Sequence, residues 1–541
     1  MEEKSNKRTF VILAVIIAFQ IMVTALIFAF VKGGSHSDEV WSYGLANSYY
    51  QPFVYQRAGV GIDEAAESDY INLREWVPGS VFHNYITVQE GQRFAYGSVW
   101  SNQTYDHHPP LYYLLLHTVC SLFPDSFSFG YGFILNCIFL AVTQIFLFKA
   151  ARLILGDSRA ALTVCVLYGG ARAALYTFTF IRQYSLLTML TVMLLYFTAK
   201  LYSRRELKTS LPPILAVSFA MFMTHYFGIV IAGLLTGCIC LWMLFTKQIW
   251  RMLIYGFSET AVLGLYFAVW PSALRHITEY TPFREKPLDM PAAVSELAGE
   301  MSAAQTGAGG IAAAVIAGLL IIASSVSFWR CRYSPAKGEG KTGDMNFMPL
   351  FIVITSLGLV LAAAYKTELE VMGEASLRYV FCLFPGLCIL LIWAVTRAVR
   401  LIPKPGAHPL RAAGAVAAAA VICSNIFASD ELLYRNDPRD IDAAALTEGK
   451  VCAAVLPDDS EWMLTCLSEI FIGADSVFVT EETAFSEDLP AIEGRSIDFI
   501  LIPESIAEGN TALESFCAGR SRTAEGTLSV MNTKAILYRL N

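Results

Sequence analysis

Charge is the first thing this sequence lacks. Only 16% of its 541 residues are Asp, Glu, Lys or Arg, against about 25% in an ordinary soluble chain. With 55% hydrophobic positions, that shortage excludes a soluble enzyme. Nucleotide signatures are missing as well: there is no P-loop and no glycine-rich turn leading from a strand into a helix. No His/Cys/Asp spacing matches a zinc signature, which argues against a structural metal, and nothing points to nucleic acid. A cleavable signal peptide is also absent, because Val11–Val31 is longer than a typical h-region and no small-residue cleavage site precedes Lys32–Ser35. That segment is expected to remain as a membrane helix.

What the sequence has instead is long apolar runs. Val11–Val31, Phe133–Phe148, Ile229–Phe245, Ile311–Ile322 and Ala412–Ile422 alternate with short basic loops, the pattern of an all-α polytopic membrane protein. Charge is divided unequally along the chain. Residues 428–541 carry 21 acidic and 8 basic residues, a net of −13, which leaves +6 of the total −7 for residues 1–427. The division at 428/429 therefore separates a membrane domain, 1–428, from an acidic, water-facing domain, 429–541. Of 12 cysteines, only Cys452, Cys466 and Cys517 fall in the tail; a Cys452–Cys466 bridge is left open.

Lys and Arg cluster at Lys4/Lys7/Arg8, Arg152/Arg159, Lys200/Arg204/Arg205/Lys208, Lys247/Arg251, Arg330/Arg332/Lys337/Lys341 and Arg397/Arg400/Lys404/Arg411. Short cytoplasmic loops hold such residues. Placing all six groups inside predicts eleven spans, near 9–31, 128–150, 159–178, 181–202, 212–227, 229–246, 251–271, 309–329, 347–366, 377–397 and 409–428. The amino terminus is then cytoplasmic, and the tail and loops 32–127 and 272–308 lie outside. Pro109–Phe123 is about 15 residues, shorter than a span, and follows Pro-Pro, so it reads as an interfacial helix. Its Leu114–Leu116 are expected to face lipid and Tyr112/Tyr113 the headgroups.

Polar residues gather on the predicted outer side. Six of the eight histidines, His36, His83, His107, His108, His225 and His276, fall there with Asp38-Glu39. Those carboxylates start just after the first span, near the membrane surface, where burial raises a carboxylate toward a working base; a solvated loop start is the plainer reading. His107-His108 precede the interfacial helix, whose amino terminus favours anions, although histidines there also serve as caps. Arg182 and Arg378 each end a hydrophobic helix, as snorkelling anchors or as the two arms of an anion clamp. His225 sits in the outer turn Thr224-His225-Tyr226-Phe227-Gly228, either to satisfy the turn or to act on a substrate.

Five segments in one order, Ser37-Asp38-Glu39-Val40-Trp41-Ser42, His107-His108-Pro109-Pro110-Leu111-Tyr112-Tyr113-Leu114, Ile181-Arg182-Gln183-Tyr184-Ser185-Leu186-Leu187, Thr224-His225-Tyr226-Phe227-Gly228, and Arg378-Tyr379 followed by Pro385, resemble the GT-C superfamily of membrane glycosyltransferases. The nearer likeness is to the bacterial relatives of protein O-mannosyltransferases and of the lipid A aminoarabinose transferase. The resemblance covers residues 1–400. It implies a polyprenyl-phosphate-linked sugar as donor, taken from the bilayer, and an acceptor hydroxyl on a protein, lipid or cell-surface glycan. Asp38, with Glu39 beside it, takes the position of the acceptor base. His107, His108, Tyr112, Arg182, Tyr184, Arg378 and Tyr379 take the donor phosphate and lipid, and His225, Arg275, His276 and Arg284 are further substrate candidates. Where the aminoarabinose transferases have a basic residue before Pro-Pro, this chain has His108, so that contact depends on protonation. The resemblance assigns no definite cofactor and leaves the need for a divalent cation open.

In the tail, Val451–Leu456, Ser476–Val479, Ile497–Pro503 and Ala535–Leu540 read as strands and Ser460–Ile470 and Thr511–Gly519 as helices, a small α/β domain. A polytopic transporter or lipid flippase is the rival reading; it predicts midplane ionisable residues and internal repeats, whereas the polar residues here crowd one face.

Overall fold

The computed structural model describes residues 2–57, 60, 69–279, 290–306, 347–366, 373–401, 442–458, 460, 463–507, 515–516, 522–530 and 533–540. In chain order the first helices are α1 (Glu2–Phe30), α2 (Ser37–Asn47), α3 (Gly79–Ile86), α4 (Tyr96–Tyr105), α5 (Leu111–Cys120), α6 (Phe129–Leu155), α7 (Ser158–Gly169) and α8 (Arg172–Thr179). They are followed by α9 (Tyr184–Arg204), α10 (Leu207–Phe222), α11 (Phe227–Phe245), α12 (Ile249–Val269), α13 (Ser272–Glu279), α14 (Met290–Thr306), α15 (Met348–Lys366) and α16 (Phe384–Leu401). Four short helices, α17 (Ala443–Thr447), α18 (Leu464–Ile470), α19 (Phe485–Glu493) and α20 (Glu504–Ala507), belong to the tail. The strands are β1 (Trp76–Pro78), β2 (Val451–Leu456), β3 (Ser476–Glu481), β4 (Phe499–Pro503), β5 (Arg522–Val530) and β6 (Thr533–Leu540).

The chain divides into two compact units: Met1–Leu26, Asn136–Thr179 and Gln183–Ala428 form one; Ile27–Leu135, Phe180–Arg182 and Ser429–Asn541 form the other. Among the described residues seven helices are long and apolar enough to cross a membrane, Lys7–Phe30, Phe129–Leu155, Tyr184–Arg204, Phe227–Phe245, Ile249–Val269, Met348–Tyr365 and Leu377–Thr396. This is a polytopic membrane protein. The segments read as spans over 309–329 and 409–428 lie outside the described residues.

The membrane unit packs α9 on α10, α10 on α12, α11 on α12 and α15, and α16 on α7. Two expected spans differ from the reading. The 159–178 segment is broken, α7 and α8 meeting at 62°. The Gly169-Gly170 pair ends α7, and the side chain of Gln20 occupies the place a Cβ on Gly169 would take. Gln20 Nε2 and Gln144 Nε2 donate to the carbonyl of Cys165 at 2.9 and 3.2 Å, so the backbone near the break is satisfied without water. The 212–227 segment forms α10, a 16-residue helix that ends at Phe222 and holds Pro212 and Pro213; at about 1.5 Å per residue it is short for a full crossing.

In the second unit α2 packs against α3, α4, α5 and α18. A Cβ on Gly44 would overlap the Tyr85 ring, so glycine lets α2 and α3 approach this closely. The sheet has the order β1-β3-β2-β4-β6-β5. β3, β2 and β4 run parallel to one another, while β1 pairs antiparallel with β3, β6 with β4 and β5 with β6. Strands β2 and β4 are wholly apolar and β2 to β4 are buried along nearly their whole length, as suits a sheet covered on both faces, and the core includes Ala453, Val455, Phe478, Ile500, Ile502 and Tyr538. The edge strand β1 comes from the first long loop, pairing Trp76 with Phe478 and Pro78 with Ser476. Of the tail reading, β2 starts and ends where expected, β1, β5 and α19 are additional, and most of 511–519 lies outside the described residues.

Candidate active site

The acidic pair sits in the first turn of α2. His36 is the N-cap: its Nδ1 accepts the backbone N–H of Asp38 at 3.0 Å, and Glu39 Oε2 accepts the N–H of His36 at 2.9 Å, a reciprocal box that uses the helix's orphan donors. Both acids complement the positive end of the helix dipole. Their surroundings differ. Glu39 is fully buried, and its Oε1 accepts from Lys32 Nζ at 2.5 Å and from the backbone N–H of Ile181 at 2.9 Å. Asp38 keeps 19% of its side chain open to solvent. Three donors hold Glu39 in place, whereas the Asp38 carboxylate is part-exposed.

The segment Phe180–Arg182 lies against α2 because Gly132 has no side chain: a Cβ there would overlap Ile181 Cγ2. The N–H of Gly132 instead donates to Tyr43 Oη at 2.9 Å. Arg182, 4% exposed, donates from Nη1 to the Asp38 carbonyl at 3.1 Å and to Ser42 Oγ at 3.2 Å. Its Nη2 is 3.9 Å from Asp38 Oδ1, and the guanidinium lies over the Tyr113 ring, 5.8 Å from its centre. Arg182 is thus built into the protein beside Asp38, and a snorkelling anchor would be exposed.

The turn before α5 brings a second carboxylate. Asp106 Oδ2 is 2.6 Å from His108 Nδ1, the acid 9% and the histidine 20% exposed. Burial alone would raise the Asp106 carboxyl; the charge and hydrogen bond of His108, with Arg182 and then His107, outweigh it and hold the group well below the usual carboxylate range. Asp106, His107, His108 and Arg182 therefore share one electrostatic neighbourhood. On α5, Tyr112, Tyr113 and Leu116 are wholly buried. This corrects the expectation that the two tyrosines sit at headgroups and Leu116 at lipid: α5 turns that face onto α2. The Tyr112 hydroxyl has no hydrogen-bond partner among the described residues. Burial pushes its pKa well above that of an ordinary phenol, with the nearby Arg182 opposing and Glu39 adding to the shift.

The remaining residues of the set lie in the membrane unit, where several meet. The Tyr184 ring is 5.5 Å from His225 and 5.9 Å from Tyr379, and Phe227 is 5.8 Å from Tyr379. Arg378, 7% exposed, stacks over Tyr379 at 5.0 Å. His225 Nδ1 accepts the N–H of Phe227 at 3.1 Å, the turn-satisfying role. His276 Nδ1 lies 2.7 Å from Tyr226 Oη, on α13, while Arg275 on the same helix is exposed. Arg284 lies outside the described residues. Among the described residues no group of three or more His, Cys, Asp and Glu is placed to hold a metal ion.

No family model matches the sequence, and no curated protein matches it. Solved structures do. ArnT from Cupriavidus metallidurans in the apo state aligns over 96% of this chain and 97% of its own at 12% identity, with a TM-score of 0.50. The chain has the GT-C fold. ArnT bound to undecaprenyl phosphate aligns over 95% and 97% at 12% identity and a TM-score of 0.47. The oligosaccharyltransferase of Archaeoglobus fulgidus in the apo form gives 91% and 69% at 9% identity and 0.46. Within the GT-C fold of this chain, Asp106, Lys32 and Ser42 lie at the candidate site without having been singled out as site residues. Asp106 carried a signal, an acid two positions before His108; Lys32 and Ser42 had none, since their roles depend on Glu39 and Arg182 folding onto them.

Proposed function

We propose that this protein moves a sugar, mannose or a related hexose, from a polyprenyl-phosphate donor to a hydroxyl acceptor at the outer face of the membrane. The observation that carries the reading is the pairing of a partly exposed carboxylate, Asp38, with the buried guanidinium of Arg182 at 3.9 Å, beside the Asp106–His108 pair. Glycosyl transfer needs this opposition. The acceptor oxygen attacks the anomeric carbon and loses its proton to Asp38, while the bond from that carbon to the phosphate oxygen breaks and its electron pair leaves with the lipid phosphate. Arg182 and a protonated His108 stabilise the departing charge, and Arg182 at the same time holds the carbonyl of the residue that carries the base. A single displacement inverts the anomeric configuration. Within the membrane unit Arg378, Tyr379, Tyr184 and His225 are candidates to hold the polyprenyl lipid, and the GT-C fold supports a donor taken from the bilayer. Glu39, tied by three donors, is a positioning residue in this scheme.

The test is to reconstitute the full chain in vesicles and offer a panel of polyprenyl-phosphate sugars. Release of polyprenyl phosphate from at least one member supports the reading. Failure of every member, with the protein folded by thermal melting, removes it.

A further inference from the structure

The first long loop and the C-terminal sheet are joined at several points within one unit. β1 pairs with β3; the N–H of Gly79 donates to the Asp475 carbonyl at 3.0 Å and that of Arg74 to Val479 at 2.7 Å. The half-exposed Arg74 bridges the exposed Glu487 and the buried Asp488. One join differs in kind. α18 packs on α2 and α3, and there Ser35 Oγ donates to Glu469 Oε1 at 2.8 Å, with Ser35 5% and Glu469 8% exposed. Ser35 immediately precedes His36, which caps α2 through the Asp38 N–H and whose ring lies 3.9 Å from Asp38 Oδ2. A buried carboxylate is costly to retain unless its position matters.

We infer that Glu469 is a positioning residue contributed by the C-terminal fold: through Ser35 and the His36 cap it sets where the Asp38 carboxylate stands, so the acidic tail is part of the catalytic apparatus. The inference rests on the reading of Asp38 as the base. It gives the Ser35–Glu469 bond, next to the His36 cap, a role that the Arg74 pairs lack. A displacement of the base by a fraction of an ångström lowers the rate of the chemical step without weakening donor binding.

The experiment compares Ser35→Ala, Glu469→Gln, their double variant and Arg74→Ala in the reconstituted full chain. Each measurement records kcat, donor KM and melting temperature. Expected is a kcat reduced about 3–10-fold in both single variants, donor KM within about twofold of the parent, and a double variant no slower than the slower single. Arg74→Ala should lower the melting temperature and keep the parental kcat. Should Glu469→Gln fail to fold, Ser35→Ala, which removes one hydroxyl, carries the comparison. Parental kcat in Ser35→Ala, or an Arg74→Ala variant that loses as much kcat, overturns the inference and leaves the proposed reaction standing. A parent that turns over no donor overturns both.

Discussion

The carboxylate of Glu39 accepts the backbone N–H of Ile181 at 2.9 Å across 142 positions of sequence. That bond fixes the residue before Arg182 against the first turn of α2, and so delivers the guanidinium to the Asp38 carbonyl. Two adjacent acids thereby differ in setting, and under the proposed function the buried one organises and the part-exposed one reacts.

Separating those roles is the first prediction. Asp38→Asn should reduce turnover by roughly 10²–10⁴-fold, the range for loss of a general base, with a parental melting curve. Glu39→Gln leaves buried Lys32 without its anion, and loss of one partner of such a pair costs about 3–5 kcal/mol. Its thermal melt should drop visibly. Equal melting curves for the two variants would contradict the division.

Gly132 supplies a steric test of the same junction. In Gly132→Val the new side chain collides with Ile181, an overpacking that costs about 1–3 kcal/mol. Turnover should fall beyond what the lost stability explains, because Arg182 is carried along with Ile181. A variant with a lowered melting temperature and parental kcat would show that Arg182 does not depend on this contact.

The Asp106–His108 pair predicts two pH effects. Because the folded-state pKa of Asp106 is depressed, its contribution to stability is fully present above the unfolded value of about 3.9 and is lost as pH falls toward the folded value. The melting-temperature gap between the parent and Asp106→Asn should therefore be constant from about pH 5 to 7 and narrow below about pH 4. Donor binding should respond at the other end: without the Asp106 charge, the alkaline loss of donor affinity moves to lower pH, and His108→Lys in that background removes it. Donor titrations at several pH values decide; an unmoved alkaline limb would separate Asp106 from the phosphate site.

Tyr112 offers a quieter test. Its hydroxyl is buried without a partner among the described residues, so Tyr112→Phe should keep the parental stability or raise it by up to about 1 kcal/mol, read as an equal or slightly higher melting temperature. If that hydroxyl donates to bound donor, affinity for the polyprenyl phosphate falls in the same variant. Parental affinity would reduce Tyr112 to a packing residue.

Seven of the expected spans were legible because hydropathy over some 20 residues is a strong signal, and β2 because a continuous apolar run bounded by Lys450 and Pro457 admits little else. The break between α7 and α8 was not, since hydropathy averages over a bend and the Gln20 and Gln144 side chains that stabilise it come from other helices. β1 has three residues, too few for a period, and its partner β3 lies 398 or more positions away. At the candidate site the residue types could be read, but not their directions: Asp38 and Glu39 are chemically alike in sequence, and only the arrival of Lys32, His36 and Ile181 distinguishes them. Likewise the face of α5 that carries Tyr112 and Tyr113 reads as an interfacial aromatic belt until α2 is packed against it.

The central claim is that Asp38 drives glycosyl transfer from a polyprenyl-phosphate donor. The most direct measurement is single-turnover transfer by the reconstituted full chain, parent and Asp38→Asn side by side, with saturating donor and acceptor and the anomeric configuration of the product determined. The account predicts an inverted product from the parent and a chemical step roughly 10²–10⁴-fold slower in the variant, with donor affinity unchanged. A product of retained configuration, or a variant that transfers at the parental rate, would contradict it.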